Sequence, residues 1–170
     1  MKEKLWVVRP EPNFINRLAH FLDKSMVAIG WPEVGDLSQT DKSALASRLC
    51  QTYSHYLDVK KDDLAVDVGV LDRFVNQIQT GDFVLIPENG QVFVGEVTGD
   101  YTFHPELGHT GPEAGYPHWR AVRYLKNKQP FSPIKSLPLG VRRGIDCRLA
   151  VFSIHAAAPA MWSLIRDAAY

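Results

Sequence analysis

Asn89-Gly90, set between two apolar runs, constrains this chain more than any other feature. The dipeptide favours the positive-φ backbone of a two-residue hairpin turn. It joins Phe83-Val84-Leu85-Ile86 to Gln91-Val92-Phe93-Val94-Gly95-Glu96-Val97-Thr98. The first run is continuously apolar, as expected of a strand covered on both faces. The chain must therefore hold an antiparallel pair inside a covered sheet. A doubly wound parallel fold fits poorly, because its strands would be joined by helices.

The remaining elements are read from periodicity. Leu5-Trp6-Val7-Val8-Arg9 is a first strand, stopped by Pro10 and Pro12, and Met26 to Trp31 is a second. Asn13 is placed to cap a helix with Phe14, Leu18 and Leu22 on one face. Thr40 is placed to cap another, in which Leu45, Leu49, Tyr53 and Leu57 recur every four residues until Lys60-Lys61-Asp62-Asp63 breaks the pattern. Leu71, Phe74, Val75 and Ile78 mark a third helix. Strands are expected over Trp119–Leu125 and Cys147–Ile154, and Pro159 opens a last helix with Trp162, Ile165 and Ala169 inward. Phe103 to Pro117 is a Gly-, Pro- and His-rich loop, and Trp6 and Phe103 are assigned to the core. These elements make one α+β domain over residues 1–170, with a curled sheet or small barrel flanked by helices.

A chain of 170 residues with 45% hydrophobic content can build one good core but hardly two. No run approaches the about 18 apolar residues of a membrane span, and Met1-Lys2-Glu3-Lys4 leads into a strand rather than a signal-peptide apolar region. Cys50 and Cys147 form no CxxC pair, which argues against a zinc or disulfide framework and fits a reducing cytoplasm. Net charge is zero, yet unevenly placed. Residues 1–116 carry 10 Lys/Arg against 17 Asp/Glu, and residues 117–170 carry 9 against 2. Lys126, Lys128, Lys135, Arg142, Arg143 and Arg148 are therefore candidate phosphate contacts, mostly in or beside loops, unless folding interleaves the two halves.

Trp31 lies between Gly30 and Pro32 at the end of a strand. Held in such a turn, it is either a flat platform for a planar ligand or a cap folded onto the core. His104, His109 and His118, with Glu106 and Glu113 between them, match no metal-ligand spacing, so no metal or other cofactor is expected. There is no GxSxG, Walker or HExxH motif, and the strands holding Asp82 and Glu96 lack the ExK of a nuclease. Cys50 sits on an amphipathic helix as a packing residue. No enzymatic activity is expected.

Leu-Trp-Val-Val-Arg at 5–9, Ile-Gly-Trp-Pro and Gly-Asp-Leu-Ser within 29–38, Phe-Val at 74–75 before Gly-Asp at 81–82, and Gly-Glu-Val-Thr-Gly-Asp-Tyr at 95–101 together resemble an EVE-like domain. The version resembled is that found at the N-terminus of Mrr-type restriction proteins, within the PUA-like superfamily that includes YTH and SRA readers. Roughly residues 4–126 carry the likeness. It implies a PUA-like curved β-barrel flanked by helices, with an aromatic pocket for a base. Carried over, Trp31 and Tyr101 become pocket walls, Arg9 and Asp36 rim residues, and Trp119 a further candidate. Each has a plainer alternative: a turn for Asp36, a surface ion pair for Arg9, a half-buried strand tyrosine for Tyr101.

The expected function is a reader of a modified or flipped base, a modified cytosine or adenine in DNA before RNA, serving restriction or phage defence alone or beside a nuclease domain or subunit. The alternatives are an RNA reader, or a small-ligand or protein-interaction module using the same pocket.

Overall fold

The computed structural model describes residues 3–11, 15–58, 61–107, 115–154 and 159–169. The expected cap Asn13 and its neighbour Phe14 lie outside them, as do His109 and Glu113. In chain order the elements are β1 (Leu5–Val8), α1 (Leu18–Lys24), β2 (Met26–Ile29), α2 (Lys42–Thr52), α3 (His55–Asp58) and α4 (Lys61–Asp72). There follow β3 (Phe83–Glu88), β4 (Gln91–Phe103), β5 (His118–Tyr124), β6 (Ser132–Pro133), α5 (Leu139–Ile145), β7 (Val151–Ser153) and α6 (Pro159–Ala169).

The fold is α+β around one mixed seven-stranded sheet, ordered β2-β5-β4-β3-β1-β7, with β6 also paired to β4. The Asn89-Gly90 turn joins β3 to β4 in the expected register, with both residues at positive φ. β1 pairs parallel to β3 and antiparallel to β7. Side chains alternate across the sheet, and both faces are covered. Trp6, Val8, Val84 and Ile86 face a core closed by Phe21, Leu45, Leu49, Leu71 and Phe74. Leu5, Val7 and Leu85 face a second core with Val141, Ile145, Met161 and Ile165. That double cover accounts for the unbroken apolar run at residues 83–86.

Among the described residues the sheet does not close into a barrel. Its outermost strands, β2 and β7, are not paired to one another. Sequence patterning finds apolar strands but cannot tell whether the last two meet. The expected strand over 147–154 shrinks to three residues, and Arg142 and Arg143 lie on α5 rather than in a loop. β4 runs five residues beyond the expected Thr98, crossing a register shift between Val97 and Tyr101. Leu57, expected inward, is 72% exposed, whereas Tyr56 is buried. The helix breaks at Tyr53, which is extended (φ −116°, ψ 103°), so the next turn is rephased. No described helix is long and apolar enough to cross a membrane.

The third expected helix has its inward residues Leu71, Phe74, Val75 and Ile78 all buried, but α4 widens into a π turn over Arg73–Gln77. The Ile78 amide donates to the Arg73 carbonyl at 2.9 Å, closing an i to i+5 bond. Arg120 of β5, only 3% exposed, serves the carbonyls of this turn. Its Nε donates to the Phe74 carbonyl (2.7 Å) and its Nη2 to that of Val75 (2.8 Å), while Nη1 reaches the Gly99 carbonyl in the irregular part of β4 (3.4 Å). Asp82 plays a similar part at the other end. Its carboxylate accepts from the Trp6 indole (2.8 Å) and from the Lys4 and Gln79 amides (2.9 and 3.0 Å).

Buried carbonyls left without donors are costly, at about 1–3 kcal/mol each. Arg120→Leu should therefore lower unfolding free energy by about 2–5 kcal/mol in urea titrations. Arg120→Lys should recover only part, since an ammonium cannot reproduce the fork. A loss below about 1 kcal/mol for Arg120→Leu would show that the turn satisfies its own carbonyls.

Candidate base-binding cleft

β2 ends at Ile29, and Trp31 follows in a left-handed conformation (φ 62°, ψ 55°) that starts a short 3-10 turn over Pro32–Val34. Its carbonyl accepts from the Val34 amide (3.3 Å) and lies 3.1 Å from His118 Nε2. Behind it, Tyr101 Oη lies 2.7 Å from His118 Nδ1 and accepts from the Leu37 amide (3.1 Å). The two rings stack at 5.8 Å and 20°. Burial favours the neutral imidazole, whose single proton then belongs on Nε2, because the Trp31 carbonyl can only accept; Nδ1 accepts from the Tyr101 hydroxyl, which itself accepts from the Leu37 amide. That burial pushes the His118 pKa down from 6.5 to about 4, so the ring is neutral at pH 7. Burial likewise pushes the Tyr101 hydroxyl up to about 12.

In front of this support, Trp31 borders a cleft of about 660 Å³. Its other aromatic walls are Tyr53, at the broken end of α2, and Tyr56 on α3, whose rings meet edge-on at 6.1 Å and 80°. His55 lies against Tyr56 at 4.1 Å. Ala28 and Ile29 of β2 line the cleft with Arg9 and Ala150, which flank β1 and β7, so the curl of the sheet brings its two ends to one cavity. The indole N–H and both phenol O–H groups of the walls are already engaged, whereas the buried Arg9 Nε has no partner. Trp31 Nε1 donates to Tyr56 Oη (3.2 Å), Tyr56 donates to Asp67 on α4, and Tyr53 donates to Glu33 (2.5 Å). Burial raises both tyrosine hydroxyls and the Asp67 carboxyl above their usual values. Arg9 donates through Nη2 to the carbonyls of Ile145 (2.7 Å) and Cys147 (2.5 Å).

Of the residues expected at the pocket, the cleft brings together Trp31 and Arg9 only. Among the described residues Arg9 is fixed on backbone carbonyls rather than in an ion pair. Tyr101 stands behind the Trp31 turn instead of forming a wall. Asp36 turns on itself. It accepts from the Ser38 amide (2.8 Å) and hydroxyl (2.7 Å), and the amide is the main reason its pKa is lowered. Trp119 lies outside the cleft lining, tilted against His104 at 4.2 Å and 33° with its indole on the Tyr116 carbonyl. None of Lys126, Lys128, Arg142 and Arg143 lines the cleft. Lys126 is held by the Phe131 carbonyl, Lys128 by that of Asp23 and Arg142 by that of Lys135, whereas Arg143 is exposed. His104 pairs with Glu106 at 3.1 Å, and His118 is engaged separately with Tyr101 and Trp31. Among the described residues no group of His, Cys, Asp and Glu is arranged to hold a metal.

Sequence reasoning missed Tyr53 as a wall, and Tyr56 and Asp67 altogether. The available signal was a pair of tyrosines, Tyr53 and Tyr56, three residues apart just before a charged run.

The neutral state of His118 has a thermodynamic consequence. Its pKa is lower folded than unfolded, so between pH 6.5 and about 4 the unfolded chain binds more protons. Its contribution is complete above 6.5 and is lost as pH falls to about 4, totalling about 3 kcal/mol at most. NMR titration should find the His118 imidazole protonating near 4, and His118→Gln should flatten unfolding free energy across that window. An imidazole titrating near 6.5 would contradict the assigned hydrogen bonds.

No curated protein and no solved structure matches the chain. A family model described as a domain of unknown function (DUF8426) matches residues 15–142. That span holds Trp31, Tyr53, Tyr56 and Asp67, while Arg9 and Ala150 fall outside it. With well over half of its length matched, the chain belongs to the DUF8426 family.

Proposed function

We propose that this chain is a non-enzymatic nucleic-acid reader that takes a modified or flipped base, in DNA before RNA, into the cleft of Trp31, Tyr53 and Tyr56. The observation that carries the reading is a tryptophan held at the cleft by a hydrogen-bonded support on its far side. A volume of about 660 Å³ accommodates a planar base. Stacking returns about 1–3 kcal/mol per base, which offsets much of the few kcal/mol that extrusion costs.

On this reading the sheet is a PUA-like barrel left open where the cleft lies, and the resemblance to EVE-like domains suggests a targeting role in restriction or phage defence. A nuclease domain or subunit would then supply any cleavage. Asp82 and Glu96 do not form a cleavage site in this scheme, because Asp82 is spent on Trp6, Lys4 and Gln79 and Glu96 pairs with Arg123. Phosphate contact falls first to exposed Lys135, Arg143 and Arg148, since Lys126, Lys128 and Arg142 are held by carbonyls.

A panel of unmodified, 5-methylcytosine, 5-hydroxymethylcytosine and N6-methyladenine duplexes with matched RNAs, at fixed salt, tests the reading. Trp31→Ala should weaken the preferred ligand by about 1–3 kcal/mol with the fold intact, while Trp119→Ala should leave affinity unchanged. A Trp31→Ala chain that unfolds early yet binds normally per folded molecule would make Trp31 a core residue. Arg143→Ala should reduce the log–log salt slope on duplex DNA by about 0.9 without altering base preference, and an unchanged slope would place α5 away from the backbone.

A further inference from the structure

The polar atoms of the cleft restrict which base it can favour. Trp31 Nε1–H is spent on Tyr56, the Tyr56 hydroxyl proton on Asp67, and the Tyr53 hydroxyl proton on Glu33. The indole and both phenols therefore have no proton left for a base carbonyl. What they and their partners offer is π faces and acceptor oxygens. Among the described lining residues Arg9 is the one Lys or Arg, with Nη2 on two carbonyls and Nε unpartnered, against the three carboxylates of Glu11, Glu33 and Asp67. Aromatic faces beside carboxylates attract a delocalised cation, and a neutral methyl group gains nothing from the charge.

Resting on the base-reader assignment above, we infer that the cleft selects a base with a fixed positive charge, as alkylation of a ring nitrogen creates, over neutral methylated bases. The cation would stack on Trp31, with Asp67 and Glu33 as its counter-charges. Burial holds the Asp67 carboxyl above its usual pKa, and a cation alongside favours its ionised form. Phosphates would be contacted elsewhere.

A pair of constitutional isomers separates charge from size. 1-Methyladenosine is a cation at neutral pH and N6-methyladenosine is not. Both should be titrated as nucleosides and within one single-stranded oligonucleotide, at pH 7.5 and fixed salt, alongside 7-methylguanosine, guanosine and tetramethylammonium. The cationic isomer should bind about tenfold more tightly, with 7-methylguanosine above guanosine by a similar factor. Asp67→Asn should bring the isomers to within about threefold, and Glu33→Gln should do so in part, with melting curves confirming the fold. Trp31→Ala should weaken both isomers.

Equal binding of the isomers, or preference for the neutral one, with dependence on Trp31 retained, would overturn charge selection and leave the base reader standing. Tetramethylammonium bound as tightly as the cationic nucleosides would overturn the inference, because charge without a ring would then suffice. No binding of any base, free or in a strand, would remove the reader assignment itself.

Discussion

The buried guanidinium of Arg120 holds the π turn, the irregular stretch of β4 and β5 to one another through backbone carbonyls. A π turn leaves carbonyls out of the regular helical ladder, and inside a core each needs a donor. One planar fork with fixed geometry serves two of them and reaches a third. Desolvation opposes the charge, and the fields of Asp100 and Asp82 support it. The register of β4 past its shift pairs Tyr101 with Arg120 and Phe103 with His118. Tyr101 is thereby set beside His118, and His118 under the Trp31 carbonyl. The placement of the cleft's main aromatic thus traces back to a charge that never touches it.

Trp31 is held from two sides by networks of different kinds. Its carbonyl is fixed by a fully ordered set of neutral donors and acceptors. Its indole is fixed through Tyr56 to a carboxylate on α4. The first network is buried and structural, and the second borders the cleft. A ligand can therefore perturb the second without loosening the first. Such a division suits a platform that has to meet a partner without rearranging.

Much of the sheet was legible because hydrophobic alternation and Asn-Gly turn chemistry are local. The hairpin at Asn89-Gly90, the covered strands and the strand-end tryptophan all follow from neighbours in sequence. The failures share one cause. Whether Tyr101 faces a ligand or a histidine depends on a register shift, and the strand pattern on either side looks the same. Tyr56 replaces Leu57 in the interior because the helix breaks at Tyr53, a change of phase that four-residue spacing does not announce. Asp36 offered a choice between base and turn, and its own backbone was nearer. Arg142 and Arg143 looked like loop residues between prolines and a strand, but tertiary packing of Val141 and Ile145 makes a helix there. The closure of the sheet was not legible at all, since it depends on how far apart two short edge strands come to rest.

The backbone of Trp31 sits at φ 62°, a region that glycine enters freely and a tryptophan only at a cost of about 1 kcal/mol or more. Glycine would relax the backbone at this position but would give up the packing of the ring against the core and its bond to Tyr56. The turn is therefore a place where backbone strain is set against side-chain contact. A library selected only for thermal resistance weighs those two terms and is indifferent to the face that the ring turns to the cleft. A library selected for binding should hold the aromatic and collect its compensating substitutions elsewhere, around His118 and Tyr101. The identity of one strained residue then reports which pressure a given member of this family has been under.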